Sequence, residues 1–192
     1  KSILNAEEFN YFSSQVEDKN ELVIIDKLGV KTFLVKSPNE EDQFINNEKI
    51  RIKGFEILGH LKTSKTELIQ VKSTNNSDDS ILLLAEGIAL SFYDFDKYKS
   101  DKKETKLEIN IISSTLDSKE INNLNNLVNA NHIARDFVNE PHSYLNTIQY
   151  AKDLEKFSKQ FGVSYSKFEK SKIEELKMGG LLAVNQGSTN PP

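Results

Sequence analysis

The stretch "SDDSILLLAEGIALSFYDFDKYKS", residues 77–100, is the most apolar helix candidate in the chain. Ser77, Asp78 and Asp79 stand at its start, where acidic side chains favour the positive end of a helix macrodipole. Ile81, Leu84, Ala85, Ile88 and Phe92 repeat as one stripe, and Leu82, Leu83 and Leu90 make other faces apolar too. A helix that is apolar most of the way round is buried, so this segment predicts the middle of a domain. Gly87 within it costs about 1 kcal/mol against alanine, which a closely packed neighbouring element accounts for.

Reading outward, "ELVIID" (21–26) and "KTFLVK" (31–36) are β-rich runs separated by "KLGV", where Gly29 can take the positive φ of a tight hairpin. "NNEKIRIKGFEILGHLK" carries Ile50, Gly54, Ile57, Leu58 and Leu61 at helical spacing, and "TELIQVK" after it alternates as a strand does. "SDKKET" is a polar loop. In "KLEINIIS" (106–113), Leu107, Ile109 and Ile111 share one strand face. From Ser118 to Val138 there is no glycine or proline, and Ile121, Leu124, Leu127, Val128, Ile133, Ala134, Phe137 and Val138 recur at helical spacing, predicting the longest helix of the chain.

Pro141 stops that helix by restricting Glu140 to extended backbone. Thr147 is placed to cap "TIQYAKDLEKFSKQF", and Gly162 to close it. "VSYSKF" (163–168) reads as a strand, and Ser171 and Glu174 have the spacing of a capping box opening a short helix. Alternating strands and helices make this an α/β chain. The domain join is expected inside residues 116–140, giving domains 1–115 and 141–192 around a linker helix, the second short for a core of its own.

The formal net charge of −4, with lysine and glutamate mixed along the chain, offers no basic stripe and disfavours nucleic acid as the main partner. The absence of cysteine excludes disulfides, thiolate metal sites and thiol nucleophiles, and fits a reducing compartment. No apolar run approaches the roughly 20 residues a membrane span needs. "KSILNAEEFNYF" is too acidic for a signal peptide, so a cytoplasmic location is expected.

Local chemistry is sparse. His60, His132 and His142 are not spaced as metal ligands, and neither GxGxxG nor GxxxxGK[ST] occurs. Ser188 in "QGST" lacks the surroundings of a nucleophile elbow and reads as a turn residue. Asp94, Asp96, Lys97 and Lys99 read as an ion-pair cluster at a helix end. No catalytic, cofactor-binding or metal-ligating residue is assigned.

Four segments in order resemble the leucine aminopeptidase, or cytosol aminopeptidase, family. "LLAEGIALSFYDFDKYKS" is similar to its EG-x-x-L-x-x-Y-x-FD-x-YK block, with Glu86, Gly87, Leu90, Tyr93, Phe95, Asp96, Tyr98 and Lys99 in place. "ANHIARDFVNEP" resembles the entry into its catalytic domain, with Phe137 where Leu is common. The helix, strand and "MGG" after it, and then "LLAVNQGSTNPP", resemble the next stretch, with Asn185 in place of a usual glycine; left-handed backbone there would be tolerated by Asn.

The resemblance implies a macro-domain-like N-terminal α/β domain joined by a long helix to the truncated start of an α/β catalytic domain. It also implies a parent enzyme that removes N-terminal residues from peptides with two divalent ions, Zn or Mn, and assembles as a hexamer. The family's ligand positions fall past Pro192, so this chain is expected to bind none of those ions and to be inactive alone. Leu181, Leu182 and Val184 are expected to lack the sheet that would cover them. The alternative reading is a stand-alone, non-catalytic macro-like module for binding or assembly.

Overall fold

Asn5 and Glu8 form a reciprocal capping box: the Glu8 amide donates to Asn5 Oδ1 at 2.9 Å and the Asn5 amide to Glu8 Oε2 at 2.8 Å. It opens α1 (Ala6–Glu17), a helix the reading of the sequence above leaves out, although its N-x-x-E start and the helical spacing of Phe9, Phe12 and Val16 are legible. The computed structural model describes residues 4–64, 66–75, 77–101 and 106–192. It divides into two units, Lys1–Ile133 and Ala134–Pro192.

In the first unit, β1 (Leu22–Lys27) and β2 (Val30–Val35) pair antiparallel, from Leu22 with Val35 to Lys27 with Val30. The intervening Leu28 and Gly29 have φ of 51° and 83°. Two positive φ values are what a two-residue hairpin turn needs to match strand twist. Next come α2 (Gln43–Ser64), β3 (Leu68–Lys72), α3 (Asp78–Ser91), β4 (Glu108–Ile112) and α4 (Ser118–Asn139). β3 and β4 run parallel, in register from Leu68 with Glu108 to Lys72 with Ile112. Parallel strands need a crossover, which α3 supplies. The polar loop expected at 100–105 falls mostly outside the described residues.

Among the described residues each sheet has two strands, too few to stand alone in water. What holds them is one core: Ile57, Leu58 and Leu61 of α2, Ile81 and Ile88 of α3, and Val71 of β3 are buried together. Leu22, Phe33 and Val35 of the hairpin and Ile69, Ile109 and Ile111 of the parallel pair pack against them. Residues 81–90 of α3 are all buried or half-buried, as the all-round apolar reading requires.

Ser77 caps α3, its hydroxyl accepting from the Ser80 amide. The Asp78 carboxylate accepts hydrogen bonds from Ser113 Oγ at 2.7 Å and from Thr115 Oγ1, tying the start of α3 to the chain after β4. The hydroxyl of Thr115, then that of Ser113, hold the Asp78 pKa below its ordinary value. A lowered carboxylate pKa stabilises the fold above the unfolded value and loses that contribution as pH falls through the folded one. Acid titration of wild type and Asp78→Asn should therefore converge below the ordinary Asp range, with wild type more stable above it. Parallel curves would show that the clamp is not formed in solution.

The second unit contains the end of α4, α5 (Thr147–Phe161), α6 (Lys170–Glu175) and α7 (Gly179–Asn185). Four expectations are corrected. The cap of α5 is Asn146, whose Oδ1 accepts from the Gln149 amide at 3.0 Å, and Thr147 is the first helical residue. Residues 163–168 form no strand: a strand needs a ladder partner, and among the described residues none pairs here. Instead Tyr165 donates its hydroxyl to the Ala151 carbonyl at 2.9 Å, laying the segment along α5. The capping box at Ser171 is absent, because α6 already begins at Lys170 after Glu169 with no side-chain cap. Finally, α4 is not longer than α2, both having 22 residues.

Gly162 ends α5 at φ 67°, as its place in the sequence predicts. Asn185 is the last residue of α7 and does not have positive φ. On α7, Leu181 and Val184 are 47% and 84% exposed.

Candidate functional site

The Glu86–Gly87 pair sits where α3 meets α2. A side chain at Gly87 would place its Cβ 2.2 Å from the Arg51 carbonyl oxygen and 2.8 Å from the Arg51 carbonyl carbon and Cα. The contact is reciprocal: a Cβ at Gly54 would lie 2.7 Å from the Ile88 nitrogen and 2.8 Å from Gly87 C and Leu84 O. Two facing glycines thus bring two helix backbones into direct contact. Beside them Arg51 Nε lies 3.0 Å from Glu86 Oε2. This is an ion pair without an aligned N–H bond, since Nε is buried and has no hydrogen-bond partner by geometry. Ser91 Oγ donates to the Gly87 carbonyl at 2.6 Å, occupying that carbonyl's free side.

Elsewhere in the block one ring reaches another helix, and the remaining contacts are local. Tyr93 packs its ring 5.3 Å from His132 on α4, whose buried Nε2 has no hydrogen-bond partner. Phe95 and Tyr98 rings lie 5.9 Å apart, and Lys97 sits 5.5 Å over the Tyr98 ring. Lys99 Nζ is 3.1 Å from both Asp94 oxygens, the ion pair expected at this helix end. Arg51 is the member that sequence reasoning misses: it lies on a different helix, and no local pattern links it to Glu86.

In the second unit Phe137 meets Tyr150 edge-on at 5.2 Å and Phe157 at 5.7 Å. Phe137, Val138, His142, Leu145, Asn146, Thr147 and Tyr150 line a shallow apolar depression. The last residues return to it, Thr147 Oγ1 donating to the Pro191 carbonyl at 3.2 Å. Ser188 is a turn residue: its amide donates to the Asn185 carbonyl at 2.9 Å, and its hydroxyl accepts from the Asn190 amide at 3.1 Å. Asn185 Nδ2 donates to the Asn190 carbonyl at 2.8 Å, closing the same loop.

The three histidines do not come together: His60 lies against Phe33, His132 against Tyr93, and His142 on the rim of the depression. Among the described residues no three His, Cys, Asp or Glu side chains are grouped so as to hold a metal ion. No catalytic step is assigned to these residues. Among those residues too, no helix is long and apolar enough to cross a membrane.

What these residues define is a close contact of two helices within a chain of mixed α/β class. Residues 132–192 match the model of the cytosol aminopeptidase family, catalytic domain. A probable cytosol aminopeptidase of Sulfurihydrogenibium sp. is 33% identical over 175 residues, 86% of this chain and 35% of that protein. The chain belongs to the cytosol aminopeptidase family and spans about a third of the length of the curated relatives it matches. Among solved structures, a mutant tomato leucine aminopeptidase aligns over 97% of this chain and 40% of its own, with TM-score 0.76 and 19% identity. The bottromycin maturation enzyme BotP in complex with Mn aligns over 99% and 41%, with TM-score 0.71 and 20% identity. At such identities these two speak for the fold.

Proposed function

We propose that this chain is the N-terminal portion of a two-metal leucyl aminopeptidase, an enzyme that removes N-terminal residues from peptides in the cytoplasm. In this reading the portion serves as scaffold and in assembly of a homo-oligomer, and the metal-binding chemistry belongs to sequence it does not contain. The observation that carries the reading is the catalytic-domain match at residues 132–192, continuous with similarity to a probable cytosol aminopeptidase over 86% of the chain. Use of divalent ions, Zn or Mn, is supported by the family resemblance and by the Mn complex of a structural neighbour. The packing roles of Glu86 and Gly87 support the scaffold assignment, because both are occupied by α2. Leucyl-amide hydrolysis by the chain alone and by the chain joined to the remainder of a relative is the test.

A further inference from the structure

Between Ile81 and Leu90, α3 carries one charged residue, Glu86. The others are apolar or glycine, and every position from 81 to 90 is buried or half-buried. Such a helix gains similar apolar burial whichever side it turns toward α2, so hydrophobicity sets its depth and leaves its rotation about its own axis open. The structure nevertheless holds one setting. In it Gly87 lies on the Arg51 backbone, and the neighbouring Glu86 brings its carboxylate 3.0 Å from Arg51 Nε. The Glu86 side chain is 14% exposed and that of Arg51 31%, so the cation has a route to water that the carboxylate lacks.

This pair is poorly built for stability, because Arg51 Nε is buried without an aligned acceptor and a desolvated pair recovers little of the cost of leaving water. Its effect on wrongly turned packings is larger. The two glycines permit the close approach, but a rotated α3 could still pack on α2 at ordinary helix separation. Glu86 would then be stranded among apolar neighbours without Arg51, and an unpaired buried carboxylate is far more costly than the pair is favourable. We propose that Glu86 and Arg51 are the device that fixes the rotation of α3 on α2, adding little to the stability of the native packing and excluding the rotated ones. A polar residue in a helix interface specifies register in the same way, at a cost in stability. This goes beyond the aminopeptidase reading and does not depend on it.

Methyl NMR and urea titration of the 192-residue chain separate specificity from stability. In Glu86→Leu nothing remains to be stranded, and Arg51 keeps water and Glu48, 3.6 Å away on its own helix. Its urea midpoint should equal or exceed that of wild type, and the Ile81 and Ile88 methyl groups should give several sets of resonances where wild type gives one. Glu86→Gln, of the same shape without the charge, should show the same pattern in milder form, which tells a packing fault peculiar to leucine apart. Arg51→Met leaves Glu86 without its cation and should lower the midpoint by about 1 M. Adding Glu86→Leu to Arg51→Met should restore the midpoint and keep the several sets. A wild-type midpoint in Arg51→Met, a single set of resonances in both Glu86 variants, or several sets in wild type would each overturn the proposal.

Discussion

Gly87→Val is expected to destabilise the first unit by about 3 kcal/mol or more, at the upper end of overpacking effects. Its Cβ would meet the Arg51 carbonyl oxygen at 2.2 Å, and the atoms behind it are backbone as well. Backbone cannot rotate aside as a side-chain tip can, so α2 and α3 must separate. That opens the contact around Ile57, Leu58 and Ile88, among the most deeply buried residues of the core. Gly54→Ala should cost about 2 kcal/mol for the same reason seen from the other helix. The double variant should cost less than the sum by about 1 kcal/mol, because helices already separated accommodate the second change. Gly59, on the same helix as Gly54, has open space where a Cβ would stand, with no neighbouring atom within 4 Å. Gly59→Ala should therefore stabilise by about 0.5–1 kcal/mol through helix propensity. Urea midpoints decide: Gly87→Val with a wild-type midpoint, or Gly54 and Gly59 responding alike, would refute the close approach.

The second large effect is expected at Phe137. Among the described residues of the second unit only Ile173 is a buried core residue, so the ring cluster of Phe137, Tyr150 and Phe157 carries much of the packing between the end of α4 and α5. Phe137→Ala removes both edge-on contacts and should cost about 2–3 kcal/mol, somewhat below the usual figure for a fully buried Phe because this side chain is half-buried. Phe137→Leu keeps apolar volume and loses the aromatic geometry, and should cost about 1 kcal/mol. Amide exchange along α5 reports it: protection should fall steeply in the alanine variant and slightly in the leucine one. Equal protection in all three chains would mean that the cluster does not hold this unit together.

The physics of the sequence makes some of this legible and hides the rest. The burial of α3, the close approach at Gly87, the hairpin turn at Gly29 and the stop at Pro141 follow from single residues with strong local demands. The identity of what approaches Gly87 does not follow, because Arg51 and Gly54 belong to a helix separated from it in sequence. Residues 163–168 show the opposite failure. Val163 and Tyr165 have strand propensity, but a strand exists only by pairing, and Tyr165 reaches the α5 backbone instead. The Asp78 clamp is likewise invisible in the sequence: Ser113 reads as the end of a strand and Thr115 carries no signal of its own until the fold brings them to the start of α3. At the candidate site, the recognisable blocks stand out as a pattern before they have a physical role. The structure supplies that role for Glu86 and Gly87, at the contact of α3 with α2.

One activity measurement tests the scaffold assignment most directly. This chain replaces the aligned segment of the Sulfurihydrogenibium relative, and hydrolysis of a leucyl chromogenic amide is followed with Mn²⁺ present, after chelation, and on adding Mn²⁺ back. The 192-residue chain alone should show no hydrolysis, and the chimera should hydrolyse the amide in a chelator-sensitive, Mn²⁺-restored manner. Chelator-sensitive hydrolysis by the isolated chain, or a folded chimera without activity beside an active unmodified relative, would contradict the assignment of this chain as the scaffold portion of a metallo-aminopeptidase.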